Sequence, residues 1–390
     1  MKKLKKKTKI IMGIIIIILV SLTSGGIFYN KFYKPYYKSM DSIDKEMFNE
    51  LSNIYNQFNK NKKEIWDVFN FNNEPLILIR TYKEKGVLRK YAYAINIESI
   101  ENSIFIKKID MPQYTNIPKV YRISSLYPYL LSSFMPNNFG TVKIKGTEIF
   151  YFKYYPEMIK DPKQNQDFSS FLLHEIFHIY KQKHWTYDKN GDGSIIENFP
   201  NNKENYALMG VEFSLLDKCL KTNDKNIIKN YLKDWTIIRT YRYNKWPQLK
   251  TISKIEAIEG TATYITEKIN NLMQGDLRKN YPPKIPYSDE VEYLSNQEKI
   301  HLIIFEKSLY YNTGSTLGII LDKLDIDWKK DIEDSKNKKG KTQYEILKKY
   351  FNITNEDINT KNIEKIESEN NYNSLLKQGE KIVNTVNKNK

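Results

Sequence analysis

Phe171-Leu-Leu-His-Glu-Ile-Phe-His-Ile-Tyr180 is the stretch on which the reading of this chain turns. Residues four apart on a helix lie one turn above each other on one face, so the imidazoles of His174 and His178 can converge on one cation. Glu175 is rotated by about 100° from His174. That carries it to the edge of such a site, where it can act as a base toward water instead of as a ligand. Asp167, Ser169 and Ser170 offer N-caps, and Phe171, Leu172, Leu173, Ile176, Phe177, Ile179 and Tyr180 make the stretch apolar almost all round. The spacing predicts a buried metal-binding helix. The chain has only 4 histidines in 390 residues, so an accidental H-E-x-x-H is a poor explanation. The plain alternative is a pair of core histidines.

Two histidines leave a catalytic zinc site one protein ligand short. The other histidines are His184 and His301, and His184 follows His178 without the Gly-containing spacer that would extend the motif. A carboxylate is expected instead. Glu259, in Ile255-Glu-Ala-Ile-Glu-Gly-Thr-Ala-Thr-Tyr264, is followed by Gly260 and Ala262, small residues that let two helices approach closely. Glu256, one turn earlier, can ligate or hold an imidazole N–H. Glu197, between a Gly-rich turn and Pro200, is the third candidate. For an oxyanion donor the sequence offers Tyr264, Tyr310, Tyr311 and His184. Tyr311 is favoured because Asn312-Thr-Gly314 reads as a turn that projects it.

His174-Glu-x-x-His178 followed by Glu259-Gly-x-Ala-x-Tyr264 resembles the gluzincin metallopeptidases. The second string is similar to the second zinc helix of membrane alanyl-type aminopeptidases. The resemblance covers two short segments and points to the clan, not to one family in it. It implies one zinc ion held by His174, His178 and Glu259, Glu175 as general base, a zincin-like fold and hydrolysis of peptide bonds.

Around the motif, Thr141-Val-Lys-Ile-Lys145 and Thr147–Tyr155 read as strands joined at Gly146. The second can line a cleft and pair with an extended peptide, or be an ordinary strand. Pro75–Tyr82 and Gly86–Ile97 also read as extended. Asp188, Asn190, Asp192 and Gly193 reproduce the front half of a calcium loop, although Phe199 stands where the closing Glu belongs. Glu204–Leu220, Asn226–Tyr243, Ile252–Leu272, Glu306–Leu324 and Tyr344–Phe351 carry apolar residues at helical spacing. A weaker helix is expected near Tyr372–Val386. Ser42–Phe69 reads as helical too, either a stalk or a helix packed on the catalytic region.

At the N-terminus, Lys-rich Met1–Lys9 precedes the apolar run Ile10–Leu22, and little charge follows before Tyr29. This reads as a signal peptide or, preferably, an uncleaved transmembrane anchor. The lysines would then be cytoplasmic and everything after Asn30 outside, at the cell surface or secreted if the segment is cleaved. A single cysteine, Cys219, excludes an intrachain disulfide framework. The net charge of +16 is spread among acidic residues, which argues against nucleic acid and leaves an anionic cell-wall polymer or anionic lipid head groups as partners, with a solvated lysine-rich surface as the plain alternative.

The expectation is thus an α+β chain with a membrane or signal segment at 1–30, a helical and β-containing region at 31–165, a helical zinc-binding region at 166–352 and a Lys/Asn-rich tail at 353–390. Its function would be that of an exported, membrane-anchored zinc metallopeptidase acting on peptides or proteins. The alternative is a non-catalytic cell-surface binding protein or pseudo-enzyme on the same fold.

Overall fold

The computed structural model describes residues 36–98, 100, 104–162, 166–187, 196–273 and 286–388, with 7, 10–18, 20, 21, 24, 25 and 32 nearer the N-terminus. The fold is α+β, in two units: Met1–Ile179 with Leu272–Leu277, and Tyr180–Asn271 with Arg278–Lys390.

The first unit holds one mixed sheet of β1 (Leu76–Thr81), β2 (Arg89–Ile95), β3 (Ile106–Ile109), β4 (Val120–Ser124), β5 (Phe139–Ile144) and β6 (Thr147–Tyr154), in the order β3-β4-β2-β1-β6-β5. β1 and β6 run parallel, with Ile79 opposite Lys153, and all other neighbours are antiparallel. Lys145 and Gly146 close the β5–β6 hairpin with φ of 47° and 90°, the pair of left-handed residues that matches strand twist. Alternation along the strands sends Ile77, Ile79, Ala92, Ala94 and Ile149 into one apolar cluster.

Two helices pack on the opposite face. Ser42–Trp66 is capped by Asp41 and buries Met47, Phe48, Leu51, Ile54, Tyr55 and Phe58; the Phe48 ring lies 4.9 Å from that of Tyr93. Its buried Asp44 accepts hydrogen bonds from the hydroxyls of Tyr91, Tyr93 and Tyr154 at 2.6, 2.8 and 2.7 Å, with Arg80 Nε at 3.4 Å. This is a packed element, not a stalk. The second is the helix of the histidine motif, whose Phe168 and Phe171 rings meet Phe152 at 5.9 and 5.3 Å.

The second unit is helical, with long elements at Lys203–Leu220, Lys225–Lys245, Thr261–Leu272 and Leu309–Lys323. Tyr372–Lys388 packs on Lys203–Leu220 by burying Leu375, Ile382 and Val386. Contact there is so close that a Cβ on Gly379 would stand 2.5 Å from the Lys203 carbonyl oxygen.

Three expectations are corrected or fall outside the description. Among the described residues no helix is long and apolar enough to cross a membrane. A transmembrane helix is therefore not part of the fold shown, and the rest of the 1–30 segment lies largely outside the described residues. β6 is flanked by β1 and β5, so its backbone is already paired on both sides and cannot add a peptide strand. Asp188, Asn190 and Asp192 lie outside the described residues.

Candidate metal centre

The motif helix begins where its sequence predicts. Asp167 Oδ1 accepts the Ser170 N–H at 2.8 Å, while Ser169 Oγ donates to Glu50 Oε2 at 2.7 Å. Burial pushes the Glu50 carboxyl up to about 7. The α-helix runs over Phe168–Ile176 and then widens into a π turn, Phe177–Lys181. Leu172, Leu173, Ile176 and Phe177 are buried, and Trp66 and Phe69 hold the Phe177 ring at 5.1 and 5.3 Å. The other side, with His174, Glu175 and His178, is only partly covered. The expectation of a helix buried all round is therefore wrong on the side that matters, where a reactive group needs access.

The Nε2 atoms of His174 and His178 stand 3.0 Å apart, with ring planes at 78°. Two nitrogens bound tetrahedrally to one zinc at about 2.0–2.1 Å would stand roughly 3.3 Å apart. The pair is thus within a few tenths of an ångström of what a shared ion requires. His174 and His178 belong to the first unit, and Glu259, the carboxylate that the sequence pairs with them, belongs to the second. Two imidazole nitrogens and a carboxylate oxygen suit a borderline cation such as zinc.

Glu259 is held from within the second unit. It lies in another π turn, Glu256–Gly260, and its Oε1 is 3.2 Å from Lys307 Nζ. A carboxylate has two oxygens and several lone pairs, so this pairing is compatible with ligation. Lys307 sits in a third π turn, Ile304–Ser308, and its Nζ is 5.7 Å from the centre of the Tyr311 ring. Gln182, just past the first π turn, donates its side-chain amide to the Ile258 carbonyl at 2.9 Å and to Thr261 Oγ1 at 2.7 Å. Each of the three π turns carries or adjoins a candidate site residue, and such turns concentrate at functional sites.

The remaining candidates are placed elsewhere. Glu256 is buried and gripped by Arg239, Nη1 to Oε2 at 2.9 Å and Nη2 to Oε1 at 3.2 Å, with Thr313 Oγ1 at 2.7 Å. It is structural, not a ligand. Arg239 also donates to Glu212, which Arg242 shares. Burial works against the charge of Arg239, but Glu212 and Glu256 more than offset it and hold its pKa well above the ordinary value. Glu197 is exposed in a turn. Tyr264 donates to Asp322 at 2.5 Å, buried Tyr310 accepts from Arg242 at 3.4 Å, and His184 and His301 are exposed. Tyr311 is partly buried, but Asn312, Thr313 and Gly314 lie inside helix Leu309–Lys323 instead of in a turn. Gly260 does permit a close approach, to Gly314, whose Cα would be 2.5 Å from a Cβ at Gly260.

Sequence reasoning missed Lys307 and the Arg239–Glu212–Arg242 network. Two arginines among Trp235, Ile237, Ile238 and Tyr243 were the available signal for the network. No known protein family, characterised protein or solved structure matches this chain.

Proposed function

We propose that the chain is a zinc-dependent metallopeptidase, with His174, His178 and Glu259 as the metal ligands and Glu175 as the general base. The observation that carries this reading is the 3.0 Å approach of the two Nε2 atoms. When bound, zinc supplies a Lewis acid for the scissile carbonyl. Glu175, about 100° round the helix from His174, takes a proton from the attacking water and returns it to the leaving amine. Tyr311 donates a hydrogen bond to the developing oxyanion. Lys307 fixes the Glu259 carboxylate in direction, as partners of metal ligands do.

The test is the zinc content of the purified chain beside that of Glu259→Ala, each checked for fold by circular dichroism. Near one zinc per chain, lost in Glu259→Ala while the fold persists, supports the site. Absence of zinc from both after reconstitution overturns the reading and leaves Lys307–Glu259 as an ordinary ion pair.

A further inference from the structure

Buried charges in proteins are almost always paired with an opposite charge. Among the described residues of the first unit, Arg89 and Lys153 are not. Arg89 is 7% exposed and Lys153 is 1% exposed, and among the described residues every partner of either is a carbonyl or a hydroxyl. Arg89 Nε donates to Ser125 O at 2.7 Å, and Nη1 donates to Ser133 Oγ at 2.7 Å and to Leu130 O. Arg89 Nη2 is buried with no acceptor. Lys153 Nζ donates to Gly86 O at 3.0 Å and to Met135 O at 2.6 Å. A guanidinium has five N–H donors and an ammonium three. Two donors on Arg89 and one on Lys153 therefore remain to be satisfied. The bulge between Arg80 and Thr81 in β1 brings Arg89 to this side of the sheet, where Lys153 follows Ile149 and Tyr151.

What surrounds the pair is also unusual. Lys153 ties together two chain segments, one carrying Leu88 and the other Leu131 and Met135, and these three side chains are 70%, 60% and 57% exposed. The Phe134 ring covers the Arg89 guanidinium at 4.1 Å. Exposed Lys83, Lys85 and Lys90 are neighbours of Gly86 and Arg89 in the chain, with half-buried Glu84 between the first two. Apolar side chains therefore stand outermost, with the unpaired cations directly behind them. In a bilayer, acyl chains lie below the phosphates, so a loop that inserts apolar tips brings the cations behind them to phosphate depth. Burial, and for Lys153 the neighbouring Arg89, lower both pKa values, to about 10 for Arg89 and about 8 for Lys153. Both are still cations at neutral pH.

We propose that Arg89 and Lys153 form a phosphate-binding site framed by apolar loop tips, which docks the chain on the head groups of an anionic phospholipid surface. The test uses the full chain carrying Met135→Cys, labelled with an environment-sensitive fluorophore. Cys219 is buried, so the label reports only the loop. Vesicles of phosphatidylglycerol and phosphatidylcholine in equal parts shift the emission to the blue, and phosphatidylcholine alone does not. Lys153→Met weakens the vesicle response about five- to tenfold. Leu131→Ser, at an exposed position that puts no fold at risk, weakens it too. No response to anionic vesicles overturns the proposal, as does a response that both substitutions leave unchanged. A thermal shift with inorganic phosphate in the absence of a vesicle response would make the ligand free phosphate and overturn the docking.

Discussion

Gln182 reaches back with its side-chain amide to the carbonyl of Ile258, at 2.9 Å, next to Glu259 in the chain. Gln182 is also one turn beyond His178, so this bond ties the end of one ligand-bearing stretch to the turn that carries the proposed third ligand. Gln182→Ala is expected to weaken zinc binding about tenfold to a hundredfold with little change in secondary structure. Competition against a chromophoric chelator measures this. Equal affinities would show that Gln182 serves packing alone.

Glu175→Gln separates ligation from proton transfer. Zinc content is expected to stay at the wild-type level, and peptide hydrolysis to fall about 10²- to 10⁴-fold. Loss of the metal in this variant would place Glu175 among the ligands and contradict the assigned role.

Glu256→Ala has a different expected outcome from Glu259→Ala. Removing Glu256 leaves Arg239, which is fully buried, with Glu212 as its remaining carboxylate partner among the described residues. Breaking such a pair costs about 3–5 kcal/mol, so urea unfolding should show a large loss of stability. The molecules that still fold should carry the wild-type amount of zinc.

Glu50 gives stability a pH dependence whose sign can be worked out. Its carboxyl ionises near 4.5 when unperturbed and near 7 in the fold, because burial disfavours the charged form. The stability it provides is therefore complete below about 4.5, declines as the pH rises toward 7 and is gone above it. Glu50→Gln removes that decline, so the variant should gain on the wild type by about 1–3 kcal/mol between pH 4.5 and 8. Urea melts at both pH values test this, and a constant difference between the two proteins would refute it.

Much of this architecture can be read from residue patterns. Apolar residues at helical spacing locate Lys203–Leu220, Lys225–Lys245 and Leu309–Lys323 to within a few residues, and alternation locates β1, β2, β5 and β6. β3 and β4 escaped notice because Ile106–Ile109 and Val120–Ser124 are short and carry Lys or Arg between their apolar residues. His174, His178 and Glu259 stand out in the sequence as candidate ligands because metal ligation would demand particular atoms at particular spacings. Lys307 was not, since one lysine among 62 basic residues has no local mark of its partner. The continuous pattern Ile252–Leu272 concealed a break at Glu256–Gly260, because a π turn changes hydrogen-bond register and leaves composition untouched.

A π turn holds one residue more than an α-helix would use for the same path. Deleting a single residue from the part of the π turn past His178, residues 179–181, would let the backbone relax into uninterrupted α-helix, a gain in local order. The same deletion would leave the two imidazoles in place but turn whatever follows by about 100°, carrying Gln182 off the Ile258 carbonyl. The tie between Gln182 and Ile258 is thus a matter of counting as much as of chemistry. This stretch can tolerate a changed side chain more readily than a changed length, and a stability screen over it would enrich for shortened chains that no longer make that tie.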